Sequence, residues 1–207
     1  MKESTKIKIL NTAEALFADQ GFARTSIRQI VQEAGVNIAA INYHFGNKET
    51  LYIEVLRNVF EDIQKERLEL LDEARSEGKL TLEAVISAFA SPVFNLPNEG
   101  AQHLTRLIMR RMMDATAGDR KDVYQSVFKP TRDAFLKALA ECLPDDDENE
   151  LYWHFHFMIS ALVSMVCQCD LLDLVSENKI KTKNLDGFCE HYISYVCAAI
   201  NARKVKV

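Results

Sequence analysis

The chain has 207 residues, 48% of them hydrophobic and 27% charged, enough for a sizeable buried core and typical of a soluble globular protein. Its net charge of −5 excludes a uniformly basic nucleic-acid binder, and the scarcity of turn formers, with 7 Gly and 4 Pro, argues against a β fold rich in tight turns. A polar, charged N-terminus carries no secretory pattern, and no apolar run approaches the ~20 residues a bilayer span requires, so no membrane association is expected. The nearest, from Tyr152 to Cys169, is interrupted by His154, His156, Ser160, Ser164 and Gln168 and reads as a buried helix. Cys142, Cys167, Cys169, Cys189 and Cys197 make an odd set, which points to reduced thiols and a cytoplasmic location.

Helical periodicity runs through almost the whole chain. Ile7, Leu10, Ala13 and Phe17, with Ile9 and Leu16, give the first helix an apolar face; Ser4 or Thr5 caps it and Gly21 stops it. Ile27, Ile30, Val31 and Ala34 define a second helix, with Thr25 or Ser26 as its cap, and a turn at Gly35 leads to a short third helix over about 38–45. Asn47 is placed to cap a long fourth helix from Lys48 to about Arg75. Further helices are expected over 81–95, with Pro92 kinking or ending it, and over 101–115, 119–143 with a kink at Pro130, 148–176 and 184–203. The fold class is therefore all-α: three short helices, then six longer ones. No strand alternation competes with it.

Charge is spread unevenly. Residues 1–50 hold six Lys/Arg against five Asp/Glu, while the remainder carries −6, so only the N-terminal head is suited to meet a polyanion. Within that head, the helices at about 26–34 and 38–45 have helix-turn-helix dimensions. Ile30, Val31, Ala34, Val36, Ile41 and Phe45 would lock the two together, and Gly35 would supply the turn's unusual backbone angles. Facing Ile41 and Phe45 inward turns Ala39, Ala40 and Tyr43 outward, with Asn37, Asn42 and His44 at the flanks and Ile38 between core and groove. Two alanines let such a helix sit deep in a major groove about 12 Å wide, and Asn42 has the donor and acceptor pair that reads an adenine edge.

The string Gly21-Phe22-Ala23-Arg24-Thr25-Ser26-Ile27-Arg28-Gln29-Ile30 resembles the second-helix segment of TetR/AcrR family transcriptional regulators. Ala34-Gly35-Val36-Asn37-Ile38-Ala39-Ala40-Ile41-Asn42-Tyr43-His44-Phe45-Gly46-Asn47-Lys48-Glu49-Thr50-Leu51 resembles that family's recognition helix and the opening of its fourth helix. The resemblance covers about residues 5–55. It implies a DNA-binding head over 1–47 and a ligand-binding and dimerisation body over 48–207. It further implies that Thr25 and Ser26 bind a phosphate, that Arg28 meets base or phosphate, that Tyr43 and His44 contact phosphates beside the groove, and that Lys48 clamps another. Asn42 departs from the second tyrosine many members carry. With so few basic residues, hydroxyls and helix ends must do much of the phosphate work, so a shallow salt dependence is expected.

For the body, the resemblance implies a homodimer through the last two helices, about 148–176 and 184–203, and a small-molecule pocket between helices four and eight. The first of the dimer helices is apolar on nearly all sides, including Phe155, Phe157, Met158, Leu162 and Val166, which suits one face in a core and another on a partner. Candidate pocket residues are Phe60, Phe89, Arg106, Met109, Met112, Met113, Phe128, Trp153 and Phe157; Arg106, Arg110 and Arg111 cluster beside the methionines, where one could meet a ligand carboxylate or phosphate. The stretch from Glu150 to Met158, continuing through Ser164-Met165, resembles the PsrA-like, fatty-acid-responsive regulators, which implies a fatty acid or acyl thioester as effector. The implied function is a repressor released from a palindromic operator by a small apolar molecule.

Three other classes compete with this reading. No phosphate loop, nucleophile elbow, metal-binding His-Glu-x-x-His or paired Glu-x-x-His motif occurs, so neither an enzyme nor a bound metal or cofactor is expected. Glu99/His103 and Glu150/His154 are spaced like surface contacts, and His154 and His156 fall on different sides of a helix. A thiol-based redox sensor would need cysteines in a cationic, accessible setting, and Cys167-Gln168-Cys169 diverge around a helix. The last alternative is a helical-bundle ligand-binding protein without a DNA role.

Overall fold

The computed structural model describes residues 4–96, 103, 107, 121–167, 169–180 and 187–202. These form α1 (Thr5–Gln20), α2 (Ile27–Ala34), α3 (Ile38–His44), α4 (Lys48–Ser76), α5 (Leu82–Phe94), a π-helical turn (Tyr124–Phe128) running into α6 (Lys129–Cys142), α7 (Glu148–Cys167), α8 (Cys169–Val175) and α9 (Phe188–Ala202). No strand occurs among the described residues. The expected single helix over 148–176 is thus described as α7 and α8 on either side of residue 168, and the start expected at 184 lies outside the described residues. Of the helix expected over 101–115, only His103 and Leu107 are described, both helical; Arg106, Met109, Arg110, Arg111, Met112 and Met113 lie outside.

Short polar side chains set the helix starts. Each accepts a first-turn N–H that has no partner inside its own helix: Ser4 from Ile7, Ser26 from Gln29, Asn37 from Ala39, Asn47 from Thr50, Thr81 from Ala84 and Asp147 from Glu150. Ser4 rather than Thr5, and Ser26 rather than Thr25, therefore hold the cap positions. The two internal prolines act differently. α5 passes through Pro92 and ends two residues later at Phe94. Pro130 follows the π turn, where the backbone widens just before the ring that would collide with a regular α-helical carbonyl. The carbonyl four residues before Pro130 is that of Ser126, for which proline supplies no N–H, and it lies 3.4 Å from Nε of Arg57 as donor.

By packing, the chain divides into two compact units, Met1–Asp62 with His103–Lys129, and Ile63–Gln102 with Pro130–Val207. The helix α4 contributes residues to both units.

In the first unit, α1 buries Ile9, Leu10, Ala13, Leu16 and Phe17. Ile7, expected on that face, is 48% exposed. It lies in the first turn of α1, before the buried run that starts at Ile9. In the second unit, the core is built from Leu71, Val85, Ile86, Phe89, Phe135, Leu139, Phe155, Met158 and Tyr192. Phe89 makes edge-to-face contacts with Phe135 and Phe155 at 5.2 and 5.8 Å. The Tyr192 hydroxyl donates to the carbonyl of Met158 at 2.7 Å. His154 is buried and bonded to Asp146 at 2.9 Å, not a surface residue as its spacing from Glu150 suggests.

Phe135 is fully buried at the centre of this cluster. Phe135→Ala is expected to cost about 3–5 kcal/mol of stability, read as a lower urea midpoint at an unchanged slope; a cost below about 1 kcal/mol would mean the site collapses around the gap.

Candidate nucleic-acid interface

The head's geometry starts from Gly21, which ends α1 and starts the loop leading to α2. In that loop Phe22 turns inward, stacked on Phe17 at 5.7 Å and edge-on to Tyr52 at 5.2 Å, while Phe17 and Tyr52 meet at 5.2 Å. The Tyr52 hydroxyl donates to the Leu107 carbonyl at 2.7 Å. Three aromatic rings from α1, the loop and α4 thereby fix where α2 begins.

Thr25 lies inside this knot. It is 1% exposed, and its hydroxyl hydrogen is directed at the carbonyls of Gly21 and Leu16, 2.8 and 3.3 Å away. The phosphate role implied by resemblance does not suit that side chain, because its one hydrogen is already committed in a dry setting. Lys48 is also placed inward: its ammonium donates to the carbonyls of Phe22 and Thr25 at 3.0 and 2.9 Å and lies 4.2 Å from the centroid of the Phe22 ring. Both residues brace the head from within. The signal that could have found this is local: Thr25 sits four residues after Gly21, the spacing at which a hydroxyl reaches back to a carbonyl.

The remaining expected contact residues lie outside. Ser26 is exposed at the start of α2; its oxygen accepts from Gln29, which leaves its hydroxyl hydrogen to donate outward. The first-turn amides of Ile27 and Arg28 precede any intrahelical bond, so the α2 N-terminus presents donors and a positive dipole end. Arg28 is exposed and meets no acidic side chain among the described residues.

Gly35, at φ 62° and ψ 39°, closes α2 in the left-handed conformation, its N–H returning to Gln32 and Val31. Ile30, Ala34, Ile41 and Phe45 are buried between the helices, with Val31 and Val36 half-buried at the edge. α3 then exposes Ala39, Asn42, Tyr43 and His44 and half-exposes Ala40. Ile38 is 47% exposed and so joins the outer face. Tyr43 is 85% exposed, its ring edge-on to His44 at 5.0 Å. The Asn37 side-chain oxygen is used as the α3 cap, so only its amide hydrogens remain for an external contact.

The candidate ligand residues separate. Phe60 is buried and packs edge-on to the half-buried Phe128 at 5.3 Å in the first unit, and Phe89 is buried in the second. Trp153 and Phe157, expected to line a pocket, are instead 49% and 57% exposed and stacked on each other at 5.8 Å. The reason is the helical period: Leu151, Phe155, Met158, Leu162 and Val166 take the inward face of α7, and residues 153 and 157 fall opposite.

Burial raises the thiols of the half-buried Cys142, Cys189 and Cys197 above the usual range, the reverse of a reactive setting. Among the described residues no cluster of three or more His, Cys, Asp or Glu could hold a metal, and no helix is long and apolar enough to cross a membrane.

A small three-helix head with a tight left-handed turn and an exposed, shallow second helix defines a helix-turn-helix DNA-binding protein. Two family models match the chain: "Bacterial regulatory proteins, tetR family" over residues 9–55 and "Tetracyclin repressor-like, C-terminal domain" over residues 87–199. The chain belongs to the TetR family of transcriptional regulators, a family of regulators and not of enzymes.

It is 25% identical over 170 residues to the HTH-type transcriptional dual regulator CecR of Shigella flexneri, spanning 78% of this chain and 75% of that protein. It is 29% identical over 86 residues to the HTH-type transcriptional repressor KstR2 of Rhodococcus jostii, 42% of each chain. Among solved structures, the fold is similar to the transcriptional regulator FadR of Bacillus subtilis in complex with stearoyl-CoA, at a TM-score of 0.66 and 16% identity over 92% of this chain and 96% of that one.

Two outcomes follow from the site. Thr25→Val leaves the Gly21 carbonyl without its donor and should cost about 1–3 kcal/mol in denaturant unfolding, while the slope of DNA affinity against salt stays that of the parent, since no phosphate contact is lost. For the thiols, the folded chain should react with iodoacetamide at Cys142, Cys189 and Cys197 more slowly than free cysteine at pH 7. The rate should rise as pH climbs above the ordinary thiol value of about 8.5; labelling at the free-cysteine rate would show them more open and acidic than their burial implies.

Proposed function

We propose that the chain is a ligand-responsive transcriptional repressor whose homodimer binds an inverted-repeat operator through residues 1–47 and is released when residues 48–207 bind a small, largely apolar effector in the cytoplasm. The observation that carries the DNA reading is the outer face of α3. Ala39 and Ala40 give it little height, Tyr43 stands clear of the protein at 85% exposure, and Asn42 and His44 flank it. A helix of that profile enters the major groove with alanine methyls near thymine and Asn42 near base edges, while Tyr43 and His44 meet the adjoining backbone. Ser26, Arg28 and the α2 N-terminus supply a phosphate site on the same side. Thr25 and Lys48 contribute by holding α2 and α4 in place instead of through their own DNA contacts.

The dimer reading rests on the outer face of α7 and on α9. Trp153 and Phe157 on α7 and Tyr195, 72% exposed, on α9 are large aromatic side chains left in water by the protomer, and covering them with a second copy removes that cost. The effector reading rests on family membership and on the sequence resemblance to fatty-acid-responsive regulators; a long acyl chain is the class it suggests. Ligand shifts the population toward a spacing of the two heads that no longer matches half-sites one helical turn apart.

Genomic DNA fragments selected by the purified full-length protein and then sequenced should contain a common inverted repeat. Tyr43→Ala should lower affinity for that repeat at least tenfold with an unchanged unfolding midpoint. Failure of folded, dimeric protein to retrieve any specific fragment would overturn the DNA reading.

A further inference from the structure

Among the described residues, Arg67 is a buried charged side chain without a carboxylate partner. It projects from α4 and is 7% exposed. Its Nε donates to the carbonyl of Phe89 at 2.7 Å, and the guanidinium carbon lies 3.8 Å from the centroid of the Phe89 ring. Among the described residues no carboxylate and no other acceptor meets its two outer nitrogens. The other buried polar side chains of the described chain are all satisfied: Thr25 by Gly21, Thr131 by Gln64 at 2.6 Å, and His154 by Asp146. Burial lowers the Arg67 guanidinium only to about 10, so it remains a cation at neutral pH.

A buried cation with four unused N–H hydrogens is costly to maintain, and buried charges in proteins are ordinarily paired. The surroundings define what would pair with it. Phe89 covers one side of the guanidinium plane and is itself backed by Phe135 and Phe155. One helical turn earlier on α4, Gln64 uses its side-chain oxygen to accept from Thr131, which leaves its amide hydrogens as further donors. The combination is a two-pronged oxyanion donor set against an aromatic wall, suited to the acidic head of an otherwise apolar molecule.

We propose that Arg67 is the anion-recognition residue of the effector site, pairing through its two outer nitrogens with a carboxylate or phosphate group of an apolar ligand. The proposal rests on the effector reading above and narrows it to oxyanion-bearing ligands. It also replaces the expectation that Arg106 or a neighbour in that cluster supplies this charge with a residue on α4.

The test is a titration of the full-length protein with octanoate, octyl phosphate and octanol, three probes that share one apolar chain and differ in the head. The parent should bind the better of the two anions at least about tenfold more tightly than octanol, as a charge-assisted pair implies. A preference for octanoate assigns a carboxylate head, and one for octyl phosphate a phosphate head. Arg67→Met should bring anion and alcohol to equal affinity, and Arg67→Lys, which keeps the charge but not the fork, should restore part of the ratio. Equal binding of anion and alcohol by the parent, a ratio that survives in Arg67→Met, or no binding of any probe overturns the proposal. Operator selection by the ligand-free parent is read separately. A chain that retrieves an inverted repeat but shows no anion preference loses this inference alone; one that discriminates through Arg67 but retrieves no DNA loses the regulatory reading alone.

Discussion

The Lys48 ammonium, donating to the carbonyls of Phe22 and Thr25 while resting over the Phe22 ring, ties the first residue of α4 to the loop that launches α2. Those carbonyls belong to a loop between two helices, where no regular ladder supplies donors. Satisfying them with a charged donor, and filling the space beneath with Phe17, Phe22 and Tyr52, fixes the start of α2 against α1 and α4. Everything on the outer surface of the head depends on that. The hydroxyl of Ser26, the first-turn amides of α2 and the exposed side chains of α3 keep one spacing only if the loop is rigid.

The body solves a different problem. α7 is apolar on nearly every side, yet only one face is buried in the protomer: Leu151, Phe155, Met158, Leu162 and Val166 point inward, and Trp153 and Phe157 are left outside. A helix with two apolar faces is unstable as a solvated surface and favourable as the wall between two cores. The burial pattern therefore separates its inward residues from those left in water, which composition alone could not do.

Charge follows the same logic of placement. The head is nearly neutral, and two of the groups that family resemblance assigns to phosphate binding, Thr25 and Lys48, are directed inward. Arg28, which is exposed, and the α2 helix end place positive character on its outside, beside the exposed Lys6, Lys8 and Arg24. In the body, Arg67 holds a cation among aromatic rings without an internal counter-charge among the described residues. One unit braces itself with a cation; the other buries one against an aromatic ring.

The sequence alone specifies the all-helical class, the helix-turn-helix and the family. Those rest on local physics: the 3.6-residue recurrence of apolar side chains, short polar caps at helix starts and a glycine where α2 must turn left-handed. It also determined which residues of α3 share the outer face, because Ile41 and Phe45 fix the inward one. Direction and pairing, where several positions fit the same pattern, are set by packing between distant parts of the chain. Ser26, not Thr25, became the cap because Thr25 reaches back to Gly21. Ile7, in the first turn of α1, stayed exposed although Ile9, Leu10 and Phe17 of the same helix are buried. Trp153 and Phe157 faced out because Phe155 and Met158 faced in, and Arg67, one charged residue among many along α4, became a buried cation because Phe89 of α5 lies against it. Period and composition are local quantities; which side of a helix meets the core, and which charge is covered, depends on contacts between residues far apart in the chain.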